Sequence, residues 1–133
     1  EKYNKLETFT GGGTAKNILN TNLKVCSLDP KTGYFRDGFC RTNYLDQGSH
    51  TVCAIMTDKF LKFSKSKGND LITANDEYLF PGLKPGDKWC LCCLRWKQAF
   101  DEGCAPLVEL EATNEKALEY VRLDHLIANA KKS

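Results

Sequence analysis

Asp29, Arg36, Asp37, Arg41, Asp46 and His50 fall in one stretch of the chain, with Ser27, Thr32 and Thr42 among them. A histidine beside carboxylates titrates in the range that general acid or base work needs, and an arginine can clamp a carboxylate or phosphate through two parallel hydrogen bonds. In that chemistry Arg36 or Arg41 binds charge, Asp29 and Asp46 join the binding set, and Asp37 and His50 position or exchange protons if the domain is an enzyme. The same residues also have a structural reading. Aspartate in Asp29-Pro30 and Asp37-Gly38 is ordinary turn chemistry, because its side chain bonds the local backbone, and arginine–aspartate pairs stitch long loops together. The group points to a pocket for a small polar or anionic ligand, with catalysis left open.

A second chemistry rests on Cys26, Cys40, Cys53, Cys90, Cys92, Cys93 and Cys104. Seven is odd, so a fully paired framework within one chain is impossible, and reduced thiols are expected. Cys26, Cys40, His50 and Cys53 supply nitrogen and sulfur ligands suited to tetrahedral zinc, although the gaps of 13, 9 and 2 residues contain only one short pair. Cys90 and Cys92 are two apart on a predicted strand, point the same way, and could replace two of these ligands. The first reading needs no cofactor; this one needs zinc or an oxidisable thiol. A nucleophilic cysteine wants a nearby cation, and Cys40 between Arg36 and Arg41 has one. His50 and Cys53 fall on opposite faces of a regular strand. The third reading is a structural or interaction domain whose cysteines are core.

No Walker A, GxGxxG, HExxH or GxSxG pattern occurs, and the aspartates are too far apart for an EF-hand. The net charge of +2, from 19 basic and 17 acidic side chains, gives no bulk attraction for nucleic acid or anionic lipid. Lys59, Lys62, Lys65 and Lys67 read as the solvated face of a helix. No apolar run approaches the roughly 18 residues of a membrane span. Neither nucleic acid nor membrane is an expected partner, and the placement expected from reduced thiols is cytoplasmic.

Residues 1–16, with a three-glycine run, read as a flexible lead to one domain over 17–133. From Asn17 to Gly48, turn pairs interrupt every period, predicting a long irregular polar loop. Such loops are disproportionately functional. His50 to Met56 is a β-favouring apolar run, and Thr57 offers an N-cap to a helix with Phe60, Leu61, Phe63 and Ser64 inward and Gly68 at its close. Lys88 to Arg95 predicts a second strand with both faces covered, followed by a helix over 96–102. A third strand at Leu107 to Ala112, a helix capped by Thr113 or Asn114, and a last helix over 123–130 burying Leu126 and Ile127 complete the pattern. About three strands alternating with three to four helices indicate an α+β domain, or a small α/β one.

Cys26-Ser27-x-Asp29-Pro30-x-Thr32-Gly33-x-Phe35-Arg36-Asp37-Gly38, Gly48-Ser49-His50-Thr51-Val52-Cys53-Ala54, Gly68-Asn69-Asp70-Leu71 and Phe80-Pro81-Gly82-Leu83-Lys84-Pro85-Gly86-Asp87 into Trp89-Cys90-Leu91-Cys92 occur in that order. Together they resemble a family of bacteria and some eukaryotes, domain of unknown function 2237, over about Asn17 to Ala130. The resemblance implies a small stand-alone domain and no activity. Where family members often carry histidines, this chain has Asn114 and, near the end, Asn129. Any scheme relying on either histidine fails here.

Overall fold

The two long apolar runs pair with each other. The computed structural model describes residues 15–132, and in it β1 (His50–Ile55) lies between β2 (Lys88–Cys92) and β3 (Leu107–Val108) in an antiparallel sheet of order β2-β1-β3. The helices are α1 (Asp58–Ser66), α2 (Cys93–Asp101) and α3 (Leu123–Ala128), with 3-10 turns at Asp76–Tyr78, Leu110–Ala112 and Glu115–Glu119. This mixture of helices with an antiparallel three-stranded sheet is α+β. None of the described helices is long and apolar enough to cross a membrane. The predicted lead lies almost wholly outside the described residues.

The cap signals act as read. Thr57 accepts the Phe60 N–H at 3.0 Å, and α1 closes into Gly68, whose φ of 91° is the left-handed conformation that favours glycine. Phe60, Leu61 and Ser64 are buried on the inward side of α1. They meet Val52, Ala54, Trp89 and Leu91 from one sheet face, together with Trp96, Val108 and Leu126. Each fully buried large side chain stabilises by about 1.5–3 kcal/mol. Trp96 also satisfies its indole N–H, which donates to Pro106 O at 3.2 Å.

Two boundaries and one burial differ from the sequence expectation. The second strand ends at Cys92, and Cys93, Leu94 and Arg95 already belong to α2. An unbroken apolar run suits a buried helical turn as well as a strand, and Cys93 is held by its N–H donating to Ser49 O at 3.0 Å. β3 covers only Leu107–Val108, because the chain turns into a 3-10 helix at Leu110. In α3, Leu126 is buried but Ile127 is 49% exposed, because neighbouring residues of a helix point about 100° apart.

Residues 15–49 form no helix and no laddered strand; isolated bridges and turns carry them over the other sheet face. The expectation of reduced thiols is overturned there. Cys26 is bonded to Cys53 and Cys40 to Cys90, leaving Cys92, Cys93 and Cys104 free. An odd total still leaves room for two bridges. Cys53 and Cys90 are directly opposed on β1 and β2, so both bridges fasten the loop to one spot. Around them, Cys90 N donates to Thr32 Oγ1 at 2.8 Å, Cys53 N to Thr113 Oγ1 at 3.1 Å, and Asn114 Nδ2 to Cys40 O at 2.9 Å. Thr32 and Thr113 are fully buried, so these bonds replace water for backbone groups the ladder leaves unpaired.

Candidate functional site

The start of β1 presents His50 beside a buried carboxylate. Asp46 Oδ1 lies 2.7 Å from His50 Nδ1, while Oδ2 accepts the Thr42 hydroxyl and the His50 backbone N–H, each at 2.9 Å. The Asp46 side chain is 1% exposed and that of His50 39%, so the acid sits behind the ring and the ring faces outward. A carboxylate on Nδ1 fixes the ring's orientation and directs Nε2 away from the loop. Gly48 completes the seat: a Cβ there would stand 2.7 Å from His50 Cε1, so only glycine lets the ring lie this close. Tyr34 stacks on the ring at 6.4 Å. The pairing shifts between His50 and Val52, which sets His50 opposite Cys92 and breaks the alternation that governs the rest of β1.

His50 opens on a cleft of three adjoining hollows, of about 490, 340 and 240 Å³, each lined by both His50 and Trp89. Arg36 lies over the Trp89 ring at 5.0 Å, and its Nη1 and Nη2 donate to Gly33 O and Tyr78 O at 2.6 and 3.3 Å. Its Nε is buried with no hydrogen-bond partner among the described residues. Burial lowers the Arg36 pKa, yet a guanidinium stays charged. The segment from Asn69 to Phe80 forms the far wall. Asp70 there closes a turn: its pKa is lowered first by the Thr73 hydroxyl, then by the Ile72 and Thr73 amides. Arg95 and the free thiol of Cys92 line the end nearest α2.

The residues singled out from the sequence divide. Arg36, Asp46 and His50 gather at the cleft, Asp46 from behind. Asp37 does not line these hollows; its Oδ1 accepts the Phe39 N–H at 3.0 Å and its Oδ2 lies 3.2 Å from Arg41 Nε. That ion pair lacks hydrogen-bond geometry at Nε, and Arg41 covers the Phe39 ring at 4.9 Å. Asp29 is exposed in its turn with Pro30. Cys26, Cys40, Cys53 and Cys90 are buried in bridges, so Cys40 is no nucleophile as it stands. The Sγ atoms of Cys26, Cys40 and Cys90 lie within 4.8 Å of one another, and His50 is not part of that group. The zinc set with His50 is thereby corrected, since Asp46 holds the ring elsewhere. The strand from Trp89 to Arg95 was expected to back the pocket, whereas Tyr34, Tyr78 and Asn69 escaped sequence reasoning, because residues far apart in sequence meet only through the fold. Asp46-x-x-x-His50 in a turn-rich segment was the available signal for the pair.

Asn114 and Asn129 are structural here. Asn114 is buried and caps the 3-10 turn by accepting the Lys116 N–H, and Asn129 Nδ2 donates to Ala105 O at 3.4 Å. No curated protein matches the chain. A family model described as an uncharacterized protein conserved in bacteria, DUF2237, matches residues 16–130, and the chain, with its seated histidine and doubly bridged loop, belongs to that family.

Proposed function

We propose that this domain binds a small anionic or polar ligand in the cleft of Arg36, His50 and Trp89, with His50 available for proton transfer. The observation that carries the reading is the seat of His50. A buried carboxylate, a glycine that a side chain would displace, and a stacked tyrosine all hold one ring against a cleft. Arg36, its guanidinium carbon 5.0 Å from the Trp89 ring centroid, supplies positive charge in a partly desolvated place, where an anion is held more strongly than in water. Asp29 and Arg41 contribute to the loop rather than to contact with ligand. Asp37 holds the turn that carries Arg36.

Titration with inorganic phosphate, and separately with succinate, tests the reading by nuclear magnetic resonance of the histidine ring protons. Saturable shifts of His50 with His125 unmoved, lost in Arg36→Ala, are expected. Equal, unsaturable drift of both histidines would sink the proposal.

A second reading is favoured by the gathered sulfurs of Cys26, Cys40 and Cys90. With Cys53 they make a four-thiol set for zinc, but only after both bridges are reduced, since zinc binds thiolates. Native mass spectrometry with zinc, before and after reduction, decides it: uptake of one zinc only after reduction supports this reading, and no uptake removes it. The cytoplasmic placement expected from the sequence depended on free thiols. Two buried bridges fit an oxidising compartment better.

A further inference from the structure

Three free thiols occupy very different places. Cys93 is fully buried, and burial pushes its pKa up. Cys104 is half-buried at the turn after α2, its Sγ 3.5 Å from Glu102 O. Cys92 differs from both: it faces His50 across the strand pair, lines the same 240 Å³ hollow, and is the N-cap of α2 with its side chain making no capping bond. The first turn of α2 carries no acidic residue, so its positive end is uncompensated, and Arg95 stands in the same hollow. These features set Cys92 beside a base, a cation and a helix start. Behind His50 stands Asp46, whose other oxygen is held by Thr42. Nucleophile, base and a carboxylate that positions the base thus come from the helix start, the strand start and the preceding turn.

We infer that Cys92 is the nucleophile of this cleft, with His50 as its base and Asp46 as a positioning residue, and that its substrate is an acyl compound carrying an anionic group. The inference rests on the cleft reading above and adds the reaction. No hydrogen bond joins thiol and ring among the described residues, and such catalytic contacts tighten when substrate is bound. The Cys92 thiol gives its proton to His50 Nε2, and the sulfur's electron pair forms a bond to the acyl carbon. The bond from that carbon to the leaving group breaks with its electrons, and His50 returns the proton to the departing atom. Water then attacks the thioester, giving a proton to His50; the carbon–sulfur bond breaks, the acid leaves, and His50 reprotonates the Cys92 sulfur. Arg95, which lines the hollow of Cys92 and His50, holds the substrate's anionic group throughout.

The test is alkylation of the intact, unreduced protein by iodoacetamide, with peptide mapping to follow Cys92, Cys93 and Cys104 in the same molecules. Cys92 is expected to react about tenfold faster than Cys104 at neutral pH. His50→Ala should slow Cys92 to the Cys104 rate, and Asp46→Asn should slow it several-fold with partial recovery in Asp46→Glu, leaving Cys104 unchanged in each. Equal rates for Cys92 and Cys104 in the unaltered protein, or indifference to His50→Ala, would overturn the assignment. Acyl chemistry is read with p-nitrophenyl acetate and its anionic relative mono-p-nitrophenyl succinate. Acylation should map to Cys92, about tenfold faster for the succinate, as one charge-assisted contact allows. Acyl groups absent from Cys92, or no preference for the anion, would overturn the substrate class. Unreactive Cys92 with phosphate still shifting His50 removes the nucleophile and keeps the binding cleft; reactive Cys92 with no anion effect does the reverse.

Discussion

The two faces of the sheet are closed by different means. One is covered by helices whose apolar stripes meet Val52, Ala54, Trp89 and Leu91. The other is covered by the irregular 15–49 segment, held by two bridges, by the Thr32 hydroxyl and the Asn114 amide, and by a small cluster of cysteines with Ala112. The first face gains stability by removing apolar area from water, which any well-packed side chains can do. The second has little apolar area to remove, so covalent closure and buried hydrogen bonds take its place. The cleft lies where the two regimes meet: Trp89 belongs to the helical face, and Arg36 and His50 belong to the loop side. A site there gains loop residues of varied chemistry on a backbone made rigid by the bridges.

Breaking the bridges should show the largest effect. The bridged residues are 27 and 50 apart, and loop-closure entropy assigns about 3.5 and 4 kcal/mol to these. Urea unfolding with and without reductant, and of Cys26→Ala/Cys53→Ala, measures this directly. A change under about 1 kcal/mol would mean that the loop face holds without its bridges. On the helical face, Trp96→Ala should cost about 3–5 kcal/mol by cavity formation and loss of its bond to Pro106. Both variants should unfold in one transition if the sheet couples its faces; two transitions would show that the loop melts separately.

The helical face is the more legible of the two. Thr57 and Gly68 bracket α1, and the His50–Met56 run announces β1, because capping and apolar runs are local signals. The Lys88–Arg95 run is ambiguous for the same reason: apolar continuity does not tell a strand from a buried helix, and Cys92 ends the strand where Cys93 begins to bond Ser49. The loop side resists reading. Seven cysteines permit many pairings, and nothing local says that Cys53 and Cys90 will face each other. Arg36, Asp46 and His50 were visible as residue types. Asp37 was equally visible and went to Arg41 instead, since a turn-forming aspartate has a nearer partner. Trp89, Tyr78 and Asn69 carried no polar-loop signature.

Smaller perturbations test the loop side at single atoms. Thr32→Val keeps shape and removes the acceptor of the Cys90 N–H, leaving a buried donor unpaired at a cost of about 1–3 kcal/mol, measured by urea unfolding. A neutral result would mean that water or a shifted backbone replaces the hydroxyl. Gly48→Ala should act on the site rather than on stability. A methyl 2.7 Å from Cε1 forces the His50 ring away, so phosphate binding should weaken several-fold while stability changes by less than about 1 kcal/mol. Binding unchanged by Gly48→Ala would detach the seat of His50 from ligand recognition.

The smallest effect is expected where the two regimes meet at the other end of the sheet. Glu109 Oε1 lies 3.2 Å from both Lys88 Nζ on β2 and Lys131 Nζ, and Lys131 N donates to Val108 O of β3. Burial by itself would raise the Glu109 pKa, but hydrogen bonds and charge from the two lysines outweigh it and leave the value lowered. A carboxylate whose folded pKa lies below its unfolded one, near 4.3, contributes stability that is fully present above about pH 4.3. That contribution is lost as pH falls through the lower folded value. Glu109→Gln should therefore melt slightly below the unaltered protein at pH 7, and the gap should narrow below pH 4 and in high salt. A gap that persists at pH 3 would mean that Glu109 acts through packing, and the lysine clasp between β2 and the chain end would contribute nothing by charge.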